Sequence, residues 1–473
     1  MASATRPAAV GATLATAVLY FFGTGLHPIG WLTWLAPLPI LLLAPRVPAR
    51  VAAVATFVAY LLGGSNIWHY YAVDLGLPPV LVALSIVLFP LLLTGITLLF
   101  RAVLLGGHPT LAAVVFPAGV AAAEYLVNLT TPAGANWSLA PTQSDLLPVL
   151  QVASLTGGWG VSFLVSMLPA VLAVLSCRAR WRTGMAGVLV LGLALGYGTI
   201  REQTVSHAPA SPRLTLLSAR TTHDQVRVDT SAGRTLVAAY VNWLRMSPAD
   251  GTRIVVLPEK GFQADDQSLP ELLGPLATAA RDRGVDVVVG VEMHTGGKIY
   301  NTAFDLPAHG TTPVVYRKHH LVPGVEDGYT AGTTLAFVPG FGNRIGIAIC
   351  ADLSHPDFGR LYGGVGLLVV PALDFTVDAW SQSRVQLLRG VENGFSMARA
   401  SHLGYLTLSD PAGRVTAQRP TGLASPFVAV SGSLPMPTGG TPYTRWGDWF
   451  AWLCIALVLC GLLARRGRCR RRP

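Results

Sequence analysis

The sequence predicts a two-part fold: a polytopic α-helical membrane domain of about eight spans, and an extracytoplasmic α/β domain. Three observations carry that prediction. The 473 residues are 51% hydrophobic and only 12% charged, too apolar and too charge-poor for an ordinary soluble protein. Apolar runs of near-spanning length fill 1–205 and return at 449–464, while 212–444 is polar enough for a globular domain. Arginines fall in alternate loops between the runs.

The runs occupy 8–23, 29–44, 51–67, 79–100, 111–127, 150–176, 184–200 and 449–464. Several fall slightly short of the roughly 20 residues that cross a bilayer. Trp31, Trp34, Trp68 and Trp449 flank them, as suits the interface. The first run has no small-x-small cleavage site near its end and another run follows at once, which predicts a retained helix. Arg46 and Arg50 follow the second run, Arg101 the fourth, Arg178, Arg180 and Arg182 the sixth. Arg465, Arg466, Arg468, Arg470, Arg471 and Arg472 follow the last run, and the loops after the first, third and fifth carry no Lys or Arg. The positive-inside rule therefore predicts cytoplasmic termini and places 212–444 outside. The division is 1–205 with seven spans, 212–444 as the outer domain, 449–464 as the closing span and 465–473 as a basic cytoplasmic tail. The net charge of +10 gathers at that tail, beside an apolar run, which marks an anchor on an anionic leaflet and argues against nucleic acid.

Within 212–444, strands are predicted at 214–218, 254–258, 285–291, 301–305, 314–317, 345–349, 367–371, 404–408 and 427–430. Helices are predicted at 236–245, 269–283, 355–362 and 379–393, an α/β alternation long enough for one sizeable core.

Three stretches carry chemistry. RIGIAICADLSHPDFGR, from Arg344, reads as a strand ending at Cys350, with Asp352 and Ser354 leading into a helix. A thiol at such a corner can lie open to substrate and near helix N–H groups that favour the thiolate. Alone, the stretch leaves open a small buried hydrophobe, the commonest fate of a free cysteine. Upstream, RIVVLPEKGF runs through a strand to Glu259, and VYRKHHLVPGVE runs through another to Lys318, with Glu326 eight residues on. Cys350 is the one cysteine of 212–444, and an unpaired thiol in an oxidising compartment is better explained by a nucleophile's role. Cys177, Cys454, Cys460 and Cys469 lie in or beside apolar runs, read as packing or membrane-edge residues without zinc-like spacing.

The order Glu259, Lys318, Cys350 resembles the nitrilase, or carbon–nitrogen hydrolase, superfamily. KHHLVPGVE most resembles its membrane-embedded branch, the apolipoprotein N-acyltransferases. RGVENGFSMARASHLGYLTLSDPAGR, with Arg389, Glu392, Arg399 and Gly404, resembles the superfamily's C-terminal pattern, and reads on its own as core salt bridges that orient strands. AAAEYLVN, which puts Glu124 near the outer end of the fifth span, and Gly134–Trp137 followed by Leu147–Leu164 resemble the acyltransferases' membrane half. A carboxylate inside a span is a functional candidate, although Glu124 equally suits a capping or pairing role.

The resemblance implies an α-β-β-α sandwich for 212–444 in a bacterial cytoplasmic membrane protein. It implies that Cys350 attacks a phospholipid ester, Glu259 moves the proton and Lys318 stabilises the oxyanion and lowers the thiol pKa. The thioester then passes its acyl chain to the N-terminal amine of a diacylglyceryl-cysteine lipoprotein. The chemistry needs no metal or soluble cofactor. Glu326 and Asp352 are supporting residues by position; Glu124, Trp137 and Ala351 are candidates on the lipid side. The sequence departs from the family at Ala351 and Asp352, where an aromatic and Glu are usual, and at Gly324-Val325 and Ala135-Asn136, and it shortens the segment from Lys318 to Cys350. Two alternatives stay open: a membrane-anchored amidase whose acyl-enzyme is resolved by water, and a non-catalytic scaffold or partner of a polyprenol-phosphate glycosyltransferase.

Overall fold

The computed structural model describes residues 2–132, 134–177, 181–205, 207–220, 225–246, 251–422 and 426–466. Arg178, Arg180, Arg468, Arg470, Arg471, Arg472 and Cys469 lie outside the described residues. The chain divides into two units, Met1–Ile200 with Trp446–Pro473, and Arg201–Arg445.

The apolar runs fold as the helices Ala2–Gly23, Ala49–Gly63, Pro79–Leu105, Pro109–Thr130, Gly158–Cys177, Trp181–Val205 and Trp449–Arg466. Among the described residues, 5 helices are long and apolar enough to cross a membrane; Trp449–Arg465 is a shorter apolar helix. The run at 29–44 departs from the expected single span. It splits into a 3₁₀ turn Gly30–Trp34, a short α-helix Leu38–Leu43 and a second 3₁₀ turn Ala44–Arg46. Pro37, Pro39 and Pro45 explain the breaks, since each lacks the N–H a continuous helix needs. The run at 150–176 is broken as well. Gly157 turns with φ +70° between Ala153–Thr156 and Gly158–Cys177, a left-handed conformation that glycine adopts without steric cost.

Among the described residues the second unit holds fourteen strands. They are β1 Arg213–Ala219, β2 Val226–Arg227, β3 Thr252–Val256, β4 Phe262–Asp265, β5 Asp286–Thr295, β6 Lys298–Leu306, β7 Val314–Arg317, β8 Ala336–Phe337, β9 Ile345–Ile347, β10 Leu367–Leu373, β11 Ser396–His402, β12 Tyr405–Ser409, β13 Val415–Pro420 and β14 Phe427–Gly432. One sheet runs β14-β1-β3-β5-β4-β2, with β6 added on β5 and β7 on β6; the other runs β13-β12-β11-β10-β9-β8. The sheets face each other, β1 against β11 and β10 against β3 and β5. Helices Ser231–Met246 and Leu269–Arg283 cover the first sheet, burying Val237, Leu244, Leu272 and Leu276 against Leu217, Val255 and Val287. Ala379–Asn393 packs on β11 and β12 and is buried from Ser383 to Asn393, so its polar side chains need partners inside the protein. This is a nitrilase-like α/β sandwich. Strands β3 and β5 read as continuous apolar runs because both of their faces are covered.

The expected strand 345–349 ends at Ile347, and β2, β4, β8, β11 and β13 were absent from the sequence reading. Two of these have only two residues, and β11 (SMARASH) has no apolar alternation; pairing with β10 and β12 makes it a strand.

Candidate active site

Three strand ends bring the sequence's candidates together. Leu257-Pro258 carries β3 to Glu259, β7 ends directly at Lys318, and Ala348-Ile349 carries β9 to Cys350. The Glu259 segment lies tight on β5: a Cβ at Gly290 would stand 2.3 Å from the Pro258 carbonyl oxygen and 2.6 Å from Glu259 Cα. Only glycine fits beneath that turn.

Lys318 Nζ donates to Glu259 Oε1 and to Glu326 Oε2, at 2.8 Å each. Asn301 Nδ2, on β6, donates to Oε1 of both carboxylates at 2.6 Å. Lys260 Nζ donates to Glu326 Oε1 at 3.3 Å, and Val322 N to Glu326 Oε2 at 2.9 Å. All five side chains are buried. Glu259 Oε2 is buried with no hydrogen-bond partner in the described structure. Burial opposes the charge on Glu326, but Lys318 and then Lys260 hold its carboxyl down at about 2. Burial likewise opposes the Lys318 ammonium, and Glu259 and Glu326 outweigh it, raising its pKa.

Cys350 opens a 3₁₀ turn, Cys350–Ser354, at φ +39°, a conformation non-glycine residues take at a cost and which is found at functional turns. Asp352 secures that turn. Its Oδ2 accepts from Ile349 N at 3.0 Å and Tyr316 Oη at 2.6 Å, and its Oδ1 from His319 N at 2.9 Å and His320 N at 2.8 Å. One buried carboxylate therefore ties the cysteine turn to the lysine segment. The thiol donates to the Leu373 carbonyl at 3.6 Å and receives Gln386 Nε2 at 3.8 Å. Arg399 Nε holds Gln386 Oε1 at 2.7 Å and forks onto both oxygens of Asp374, with Nη1 to Oδ2 at 2.8 Å.

Two expectations about the thiol are corrected. Cys350 is only 7% exposed, not open at the corner. Lys318 does act to lower its pKa, but on balance the pKa is raised: burial acts first and the Glu259 charge second, and together they exceed Lys318 and Arg399. The resting sulfur is a thiol beside a carboxylate. Ala351 is half-buried in the same turn, and Val325 is 40% exposed beside Gly324. Arg389 pairs with Glu392 at 3.2 Å in the interior, the core role expected of them.

In the other unit, Glu124 is buried and accepts from Ser162 Oγ at 2.6 Å, Ser138 Oγ at 2.9 Å and Leu139 N at 2.9 Å. Trp137 stacks on Phe89, centroids 5.4 Å apart, and both line one cavity with Glu124, Tyr20 and Tyr60.

Asn301, Lys260 and Gln386 were not singled out in the sequence. Lys260 adjoins Glu259, and its position beside a candidate base was the only available signal; Asn301 and Gln386 gave none.

Residues 220–423 match the carbon-nitrogen hydrolase family, and residues 16–171 match the apolipoprotein N-acyltransferase N-terminal domain. These matches mark a carbon–nitrogen hydrolase domain at 220–423, in a chain with helices long and apolar enough to cross a membrane. Across both matched stretches the chain is similar to the apolipoprotein N-acyltransferases. It is 29% identical over 399 residues to the apolipoprotein N-acyltransferase of Methylococcus capsulatus, covering 75% of this chain and 74% of that one. Identity to that of Nitrosomonas europaea is 26% over 490 residues, covering 92% of each chain. Among solved structures, Nit3 of Saccharomyces cerevisiae, a branch 10 nitrilase-superfamily member, is 18% identical with a TM-score of 0.40, over 48% of this chain and 91% of that one.

Proposed function

We propose that the protein, an acyltransferase by its family, moves an acyl chain from a phospholipid to the N-terminal amine of diacylglyceryl-cysteine lipoproteins through a thioester on Cys350. The bare, buried Oε2 of Glu259 carries this reading. Its partner oxygen is held by Lys318 and Asn301, so one acceptor stays available in a buried site, as a general base requires. Glu259 takes the thiol proton as Sγ attacks the ester carbonyl, Lys318 stabilises the tetrahedral oxyanion, and the departing lysophospholipid alkoxide takes the proton back. The lipoprotein amine then attacks the thioester. Its N–H proton passes to Glu259 and on to the leaving sulfur, which restores the thiol. Glu326 positions Lys318 and Asp352 positions the cysteine turn. Glu124 anchors the loop at Trp137 rather than touching the reacting atoms, and Ala351 and Val325 bear on which acceptor is used.

We also propose that the broken run at 30–46 crosses the bilayer with the seven helices, giving eight passes, cytoplasmic termini and an extracytoplasmic 212–444. Ile40, Leu41, Leu43 and Ala44 are buried, which is what lets interrupted backbone lie at membrane depth.

The test is partition of the acyl-enzyme. Purified protein in detergent, given labelled phospholipid, is expected to form a hydroxylamine-sensitive adduct and to release it to a diacylated lipopeptide much faster than to water. Hydrolysis as fast as transfer would replace this reading with an anchored amidase; no adduct from a folded protein would favour a scaffold.

A further inference from the structure

Lys260 is a second ammonium in the same buried cluster, and the chemistry above leaves it unused. Its side chain is 3% exposed, yet its backbone sits at φ +47°, a conformation a lysine pays to adopt. The carbonyl of the strained residue accepts from Gln225 N at 3.0 Å, which helps hold the turn. The strain aims Nζ between Glu326 Oε1, at 3.3 Å, and the face of Tyr329, 5.2 Å from its centroid. Tyr329 Oη in turn donates to Glu292, whose other oxygen receives Gln263 Nε2 at 2.9 Å and faces His294 Nε2 at 2.8 Å.

The cluster holds two carboxylates, Glu259 and Glu326, against two ammoniums, Lys318 and Lys260. Glu326 divides its oxygens between the two lysines. Without Lys260, a single ammonium would face both carboxylates, and its charge would be spent on them. On the acyltransferase reading, we propose that Lys260 is a positioning residue: by engaging Glu326 Oε1 it leaves Lys318 with charge to place on the developing oxyanion. The groups facing Glu326 are Lys318 after β7, Lys260 after β3, Asn301 on β6, the Glu259 carboxylate and Tyr329. Taking away one cation raises the Glu326 carboxyl, so it protonates earlier on acidification and the rate falls at a higher pH.

The test follows thioester formation from labelled phospholipid by full-length protein in detergent, against pH and lipid concentration. Lys260→Met is expected to lower the maximal rate roughly tenfold, below the 10²–10³ lost with a direct oxyanion donor. The lipid concentration at half-maximal rate should hold, and the acid limb should move up in pH. Lys260→Arg should restore both, and Lys260→Met should add nothing in a Glu326→Gln background. An unmoved acid limb, or losses that multiply in the double variant, would overturn the proposal. Should Lys260→Met not fold, Lys260→Gln carries the same expectations. Wild-type protein without thioester would overturn the acyltransferase reading itself; thioester in the wild type with unaltered Lys260 variants would overturn this inference alone.

Discussion

Lys318 Nζ stands 2.8 Å from Glu259 Oε1, and Glu259 Oε2, on the same carboxylate, accepts no hydrogen bond in the described structure. One oxygen is committed and the other is buried without a described partner. Burial first and the charge of that carboxylate second raise the pKa of the Cys350 thiol.

Cys350→Ala is expected to leave no hydroxylamine-sensitive acyl group on the protein after incubation with labelled phospholipid. Cys350→Ser should be nearly inert too, because a hydroxyl is far harder to ionise than a thiol. An adduct of undiminished yield in the alanine variant would move the nucleophile elsewhere.

Glu259→Gln and Lys318→Met should each suppress thioester formation, the lysine variant by about 10²–10³. Single-turnover rates on each variant check this, with lipoprotein acceptor omitted so that the first half-reaction is read alone. A variant retaining wild-type rates would remove that residue from the chemistry.

Asn301 bridges the two carboxylates with one nitrogen. Asn301→Ala is expected to slow thioester formation at least tenfold, on the order of one charged hydrogen bond lost. Asn301→Asp should be worse, since it sets a third carboxylate among two. Equal rates for the two variants would show that the bridge matters for shape and not for charge.

Asp305 tests electrostatics away from the site. Neither of its buried oxygens has a hydrogen-bond partner among the described residues, and burial, then the nearby Asp286 charge, raises its pKa to about 8. A carboxyl raised in the folded state contributes stability below its unfolded value and loses it as pH climbs through 8. Between about pH 4 and 8 that is a loss of about 1.4 kcal/mol per unit. Asp305→Asn should therefore melt above the wild type at pH 8.5 (a condition of about that value) and show no advantage near pH 4. Thermal melts of the full chain at both pH values decide it; a constant offset would mean the carboxyl does not titrate as described.

A cytoplasmic-active reporter fused near Ser268 should be silent and a periplasmic-active one bright, and protease added to spheroplasts should cut 212–444. Cytoplasmic activity at that fusion would reverse the orientation.

The sequence by itself determined what is local or repetitive. Apolar length marked the runs, loop arginines carried the orientation argument, and Glu259, Lys318 and Cys350 stood out because each follows a short apolar strand. Helices Leu269–Arg283 and Ala379–Asn393 were legible to the residue, since each ends at a left-handed glycine, Gly284 or Gly394. Tertiary structure decided the rest. Asn301 and Gln386 carry no pattern, and only the packing of β6 on the lysine segment and of Ala379–Asn393 on the cysteine turn gives them partners. Lys260 was in plain view beside Glu259, but nothing local says a lysine will be buried with a strained backbone. The thiol's protonation went the other way from expectation for the same reason: a pKa is set by burial and by charges brought from distant strands, and neither is written in spacing.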